Sequence, residues 1–569
     1  MIKSYLKTTF ALSLALALGG FATAYGQYEV TGTTAGGGNV VTGMGNLPPL
    51  ATDDGSDILT AGGSDHLTLI IGSFASTDFF NSDYSSTITF GTPNDVFINK
   101  GTIEGATDEE ESPTFGAGVD FLSNDLLHDG TLGSESISNI TFVNNGNIFG
   151  ANDFDDNEVV GSAVNFLATD SINGVSFTNT GLIEGASIDV FDSGFAGSAV
   201  NFITESGSIS NIGFTNSGNL FGGSENDSAT FMGNAVVIAG ENGVYNVTIN
   251  NQQNGNIVGG NENFNFDDPF VLGSGNGLII VDFNDFGGLG GAINNVSVNN
   301  AGDILGGNDN EAGDFEEEND FASAVSNGVV IVGLGPVNNV TINNTSTGLI
   351  QGGNESDFGG FIGNGAVIAS INDFDEIDNN GNVLSNVNVM NAGRILGGNN
   401  NDGDEGEGDF QGMEVGNGLV ILGGTSVTNV NIVNVQGGSI LGGNNNLGND
   451  ESVGSGIDIT TWFGGVISNV SITNSGKIQG GSGNNDSFFV GMGIGIDGEF
   501  TNNITITNNI GGFIAGGDGN FGDSFDTGAG IAISAENLNG LNISNWGLIR
   551  GGNDISEVES NSDGGDGID

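Results

Sequence analysis

From about residue 96 onward, apolar residues recur in short runs that alternate with polar ones, and nowhere do they take the 3.6-residue spacing of a helix. Three kinds of run follow one another in fixed order. The first is N-[VI]-x-[IVF], as in Asn246-Val247-Thr248-Ile249, Asn339-Val340-Thr341-Ile342 and Asn469-Val470-Ser471-Ile472. The second is an anchor, G-x-I-x-G, usually extended by another Gly. The third is [GA]-[VIL]-x-[IF], as in Ala235-Val236-Val237-Ile238, Gly328-Val329-Val330-Ile331 and Gly418-Leu419-Val420-Ile421. A period of two puts the apolar side chains of each run on one face, so each predicts a short strand with one side buried. Gly and Asn stand between the runs, at corners where a positive φ is easily adopted.

The anchor occurs twelve times, beginning at Gly101, Gly146, Gly181, Gly218, Gly255, Gly302, Gly348, Gly393, Gly438, Gly476, Gly512 and Gly547, at intervals of 35 to 47 residues. Its central residue is Ile in eleven copies and Leu220 in the other. Three strands of four or five residues cannot bury a core alone, but stacked units can, each strand pairing with its counterpart in the next. The expected fold is therefore all-β, a right-handed parallel β-helix of about twelve three-strand rungs, the hand following the rule for parallel crossovers. At about 4.8 Å per rung the rod would be on the order of 60 Å long. A propeller, the competing fold at this period, would need four longer antiparallel strands per unit. Asn lies two residues before the anchor Gly at positions 99, 144, 179, 216, 300, 391, 474 and 545, a column suited to an amide ladder.

Composition supports this reading. Gly numbers 104 and Pro only 6, yet 37% of the chain is hydrophobic with 38 Phe, so disorder is a poor account of it. Residues 1–24 read as a secretory signal: Lys3 and Lys7, the apolar Phe10–Leu18, then Ala22-Thr23-Ala24. Residues 25–95 lack the anchor and are expected to cap the first rung, with strand-like runs at 66–71 and 86–90; the repeat domain is 96–569. Without the signal, four basic residues remain against 70 acidic ones, a formal charge of −66. Nucleic acid and anionic membrane surfaces are excluded as partners by that field. With no Cys, neither disulfides nor thiol chemistry contributes.

Much of the acid sits in long segments after the anchor, such as 108–111, 153–158, 309–320 and 402–409, which are expected to form acidic loops on one side of the rod. Asp402, Asp404, Glu405, Glu407 and Asp409 are the densest set and could bind Ca²⁺ weakly, though no EF-hand spacing is present. No other cofactor is expected. Phe154, Phe315, Phe321, Phe358 and Phe410 accompany these acids, as loop pins or as partner contacts. Asp120, Asn165 and Asn201 share one strand position in successive repeats and are expected to form an outward polar column, open to a cation or a sugar. Arg394, Lys477 and Arg550 lie inside anchors and Lys100 just before one, outward strand positions with a structural rather than catalytic reading. His66 and His128 lie outside the repeat segments, and no nucleophile elbow, phosphate loop or zinc motif is visible, so no catalytic residue is assigned. The function expected is a secreted or cell-surface structural or adhesive rod, facing a host cell, a neighbouring cell or a polysaccharide. The alternative is a secreted carbohydrate-active β-helix enzyme of lyase or hydrolase type.

The N-x-G-x-I-x-G-G repeats alternating with G-x-G-[VI]-x-[IV], behind a signal and without Cys, resemble the passenger regions of bacterial autotransporter adhesins. The resemblance spans roughly 96–569. It implies export, an outer-membrane translocator barrel in a full-length chain, and display at the bacterial surface. Residues 565–569 match 454–458 at the start of a third strand, which predicts that the repeat domain is truncated here.

Overall fold

The computed structural model describes strand segments between residues 27 and 90 and, from Val96 to Asp569, the chain apart from connections such as 106–113, 124–135, 152–158, 265–271, 283–290, 312–322, 372–381, 404–412 and several shorter ones. Among the described residues every element is a strand, and from Thr68–Ile71 onward every ladder between them is parallel. Each run pairs with its equivalent in the next repeat, as in Ile304 beside Ile257 on one side and Ile350 on the other. This is a parallel β-helix.

Four sheets run along it, not three. Fourteen strands from Asn46–Leu47 to Leu548–Arg550 form the anchor sheet, and thirteen from Leu50–Ala51 to Ile531–Ser534 form a central sheet. A long-strand sheet holds the N-[VI]-x-[IVF] runs. The fourth, a short-strand sheet, contains ten strands of two to four residues, from Thr114–Phe115 to Phe489–Val490. Two residues are too few to show a period. What marks them is the turn that follows, as in Phe361-Ile362-Gly363-Asn364-Gly365, where Gly363 has φ +61°. One rung puts Ser326 in this conformation instead, at φ 58°.

The ladders continue back into the segment expected to act as a cap. Thr68–Ile71 pairs with Val96–Asn99, and Ile88–Phe90 with Val119–Phe121. Outermost, Gln27–Thr33 lies antiparallel to Asn39–Met44.

One hydrophobic column fills the interior from Phe97 to Ile531. Its early rungs are aromatic. Phe97, Phe142, Phe177 and Phe214 stack at centroid distances of 5.1, 4.5 and 4.3 Å, and Phe121, Phe166 and Phe202 at 4.6 and 4.5 Å. The two stacks meet edge to face at 6.2–6.5 Å, the arrangement that ring quadrupoles favour. The anchor isoleucines, Leu220 included, are fully buried wherever a rung lies on both sides.

Asparagine organises the corners. Asn99, 144, 179, 216, 251, 300, 344, 391, 434, 474, 508 and 545 form an unbroken ladder, each Nδ2 donating to the next Oδ1 at 2.8–3.0 Å. Four of these, Asn251, Asn344, Asn434 and Asn508, stand four residues before the anchor Gly rather than two, because their turns hold two extra residues. The close stacking also explains the doubled Gly: a Cβ on Gly353 would lie 1.5 Å from the Gly307 carbonyl oxygen. Within the long strands a second asparagine, such as Asn339 at φ 55°, takes the left-handed conformation and bends the strand. Gly174 and Gly540 do so in two other rungs.

The ladder yields a direct expectation. Asn344 gives hydrogen bonds to Asn391 Oδ1 (2.9 Å) and the Arg394 carbonyl (3.0 Å), and accepts one from Asn300 (3.0 Å), the two amide–amide bonds buried and the carbonyl bond partly so. Asn344→Ala strands those partners and should lower stability by about 3 kcal/mol. Asn545→Ala, at an exposed position, should cost about 1 kcal/mol or less. Denaturant midpoints of the two variants check this; equal shifts would mean that the buried ladder contributes little.

Candidate functional site

The central sheet is where the predicted polar column lies. Its strands are buried on both faces, with no exposed residue along Val236–Gly240, Val329–Gly333 or Leu419–Gly423. The cause is the short-strand sheet. Its Phe195, Phe231 and Phe361 join Val237, Ile279 and Val420 of the central sheet in a second apolar cluster outside the main core. Asp120, Asn165 and Asn201 do stack one rung apart. They are not outward to solvent, however; each is fully buried. Asn165 Nδ2 donates to Asp120 Oδ1 at 2.9 Å, and Asn201 Nδ2 to Asn165 Oδ1 at 3.0 Å and Ser162 Oγ at 3.0 Å. The column is a structural ladder, closed to a cation or a sugar.

The same layer buries acids. Asp282, Glu414 and Asp458 are almost wholly removed from solvent. Burial pushes the Asp282 carboxyl up to about 7, against the pull of backbone N–H groups of Gly291, Gly335 and Gly243 and with Glu241 adding to the rise. Burial also raises Asp497, opposed by a hydrogen bond with the Ser534 side chain. Asp518 behaves oppositely. The backbone and side-chain N–H of Asn553, both at 2.8 Å, hold its carboxyl below the usual range, helped by Arg550.

Of the calcium candidates, Asp402 is described, half-buried and bridged to Asp357 on one side and Leu447 on the other. Glu311 bridges Asp357 in turn, so Glu311, Asp357 and Asp402 occupy successive rungs. Asp404, Glu405, Glu407 and Asp409 lie outside the described residues, as do His66, His128 and the phenylalanines at 154, 315, 321 and 410. Phe358 is described: at φ 50°, it packs against the cluster containing Val325, Ile362 and Val415. In sequence, acidic connections such as 404–412 follow anchor strands, while 372–381, with Asp373, Asp375, Glu376 and Asp378, follows a central strand. Long connections also lead from the central to the long-strand sheet, between Leu122 and Ser136, Asp282 and Ile293, and Ser370 and Val383.

Among the described residues, the basic ones lie in or just before the anchor sheet. Arg394 and Lys477 open their strands and are exposed, Arg550 closes its strand, and Lys100 is exposed just before another. Phe513 stands between two of them, with Lys477 Nζ 6.0 Å and Arg550 Cζ 5.7 Å from its ring centroid. Such exposed pairs are worth about 0.5–1 kcal/mol each. Beside them a shallow groove of about 440 Å³ is lined by Gln436, Gly437, Ser439, Ser475, Lys477 and Phe513. Two outward faces thus differ in kind: the anchor sheet carries Arg394, Lys477, Arg550, Glu184 and Asp303, whereas the long-strand sheet carries mainly Ser, Thr and Asn with a few exposed apolar side chains such as Met390 and Phe500 and no charge.

The chain matches no protein-family model, and no curated protein is similar to it. Its chemistry must therefore be argued from these faces. The repeat legible in the sequence located both of them, but not which sheet is covered. That follows from the short-strand sheet, whose signal, a Gly-Asn-Gly turn, is present in the sequence at 363–365 after the apolar pair Phe361-Ile362 and at 416–418 after Glu414-Val415.

Proposed function

We propose that this chain is a structural or adhesive rod, secreted and displayed at a bacterial cell surface, where it contacts a host cell, a neighbouring cell or a polysaccharide. What supports the reading is the uniformity of the stack. Successive rungs place like residues at like positions over the whole described length, as in the unbroken ladder from Asn99 to Asn545. Repetition of this kind multiplies weak contacts along a surface, whereas catalysis needs different groups converging on one point. The resemblance to autotransporter passengers supports the surface location and an outer-membrane barrel as partner. In this proposal nucleic acid and anionic membranes are not ligands, given the formal charge of −64 for the whole chain.

Beads coated with the purified chain should adhere to cells or to a polysaccharide surface more than beads coated with an unrelated acidic protein. Release of reducing ends or unsaturated sugars from a soluble polysaccharide would instead favour the enzyme.

The acidic connections are proposed to bind Ca²⁺ loosely, because carboxylates of one loop can share an ion. Limited proteolysis within 402–412 should then be slower in calcium than in sodium at matched ionic strength. Equal rates would leave the acids as a charge device alone.

A further inference from the structure

We propose that the outward face of the long-strand sheet docks a neutral polysaccharide lying along the rod, an inference that rests on the adhesive reading and names its target. The face is defined by what it lacks. From Ser136–Ser138 to Asn542–Asn545 its strands contain no Asp, Glu, Lys or Arg, although 13% of the chain is charged. Charge is tolerated at equivalent outward positions of the anchor sheet, which holds Asp303, Arg394 and Lys477. Strand geometry therefore does not exclude it.

What the face presents is mostly a lattice of hydroxyls and carboxamides, interrupted by the exposed apolar side chains of Met390, Val466, Phe500 and Leu538. Its ridge is the left-handed asparagine column, exposed from Asn246 through Asn503. The ridge is tied rung to rung, for example Asn295 Nδ2 to Asn246 Oδ1 at 3.0 Å and Asn469 Nδ2 to Asn429 Oδ1 at 3.1 Å. Beside it run Thr248, Ser297, Thr341, Asn388, Asn431, Ser471 and Thr505 in register, one per rung. Donors and acceptors thus repeat at about 4.8 Å along the rod, and about 7 Å separates columns on the same strand. Mutual hydrogen bonds hold the asparagines in place before any ligand arrives, which lowers the entropy cost of binding.

Partner chemistry follows by complementarity. An anionic polymer is repelled by a chain of net charge −64, and a cationic one is drawn to the acidic connections instead. An apolar partner would strip water from the amides without replacing their hydrogen bonds, at about 1–3 kcal/mol each. A second copy brings the same net charge with it. A neutral polyol offers both donors and acceptors, and a sugar residue in an extended chain advances about as far as one rung.

The test is depletion of the full chain from solution by insoluble β-glucan, chitin and starch, with pectate gel as the anionic probe. At least one neutral glycan should retain the protein, insensitive to sodium chloride, and pectate should not. Thr248→Glu/Thr341→Glu/Thr505→Glu should weaken retention by about tenfold or more, and the corresponding triple Thr→Val variant should weaken it by less. Asn256→Glu/Leu349→Glu/Ser439→Glu, on the anchor sheet, should leave retention unchanged. Far-UV circular dichroism confirms that each variant is folded. Retention indifferent to charge on the long-strand face overturns the proposal, as does preference for pectate or loss of self-association alone in the variants. Adhesion to cells without retention by any neutral glycan overturns it while leaving the adhesive reading in place; absence of both removes the two together.

Discussion

Ile304→Asp should abolish the cooperative stability of the rod. Ile304 is fully buried between Ile257 and Ile350 in the middle of the anchor sheet. A carboxylate there has no counter-charge and no water, and several kcal/mol are lost even if the group takes up a proton. In a stack where each rung touches only its neighbours, such damage uncouples the rungs on its two sides. It should divide one cooperative transition into two, for the rungs before and after residue 304. Ile395→Asp should do the same further along. Ile549→Asp is the contrast: the side chain is only half-buried, packed against the core from one side, and its cost should be far smaller. Denaturant unfolding followed by circular dichroism distinguishes them, and similar midpoints for all three would mean that the stack is not held by its interior.

The second large effect is one of pH. Asp282 titrates near 7 in the folded chain against 3.8 when free, so between those values the folded protein holds a proton that the unfolded chain has released. Stability from this group is fully present below about pH 4 and is lost as pH rises through 7. A shift of about three units corresponds to about 4 kcal/mol. Asp497, raised in the same direction, adds to the slope, and relief of repulsion among the many exposed carboxylates has the same sign. Asp282→Asn isolates one contribution. The variant should be more stable than the parent at pH 8 by about 4 kcal/mol, with the difference vanishing near pH 4. A constant difference across that range would show that Asp282 keeps its ordinary acidity.

How far these features were legible in the sequence depends on their length scale. The anchor, its period and the inward isoleucines are set by alternation over several residues, and the strands follow them. The short-strand sheet escaped because its strands are mostly residue pairs, and its presence decides what happens to the central sheet. Once Phe231 and Phe361 cover that sheet, Asp120 and its stacked asparagines become interior groups. A hint was there. Val236-Val237-Ile238-Ala239 and Val329-Val330-Ile331-Val332 are continuous apolar runs, which signal burial on both faces rather than one. The amide ladder was found in part, since a fixed offset from the anchor misses the rungs whose turns are two residues longer. The neutral face was open to view in the sequence, but only register shows that Thr248, Ser297 and Thr341 line up.

The stacking of rungs sets how the rod would respond to force. Hydrogen bonds between rungs run along its axis, so a pull on the two ends loads them in the direction in which they break. All four sheets of a rung share the load, and an outer rung yields before an inner one because it is held from one side only. Stacked, a rung contributes about 4.8 Å of length. Freed, its 35 to 47 residues extend to on the order of 120–160 Å, roughly a thirtyfold gain. Tension would thus be relieved by long, discrete steps, each governed by the rate at which one rung lets go rather than by the overall folding equilibrium. A tether with that behaviour lengthens under a sudden load while the rungs not yet freed remain stacked.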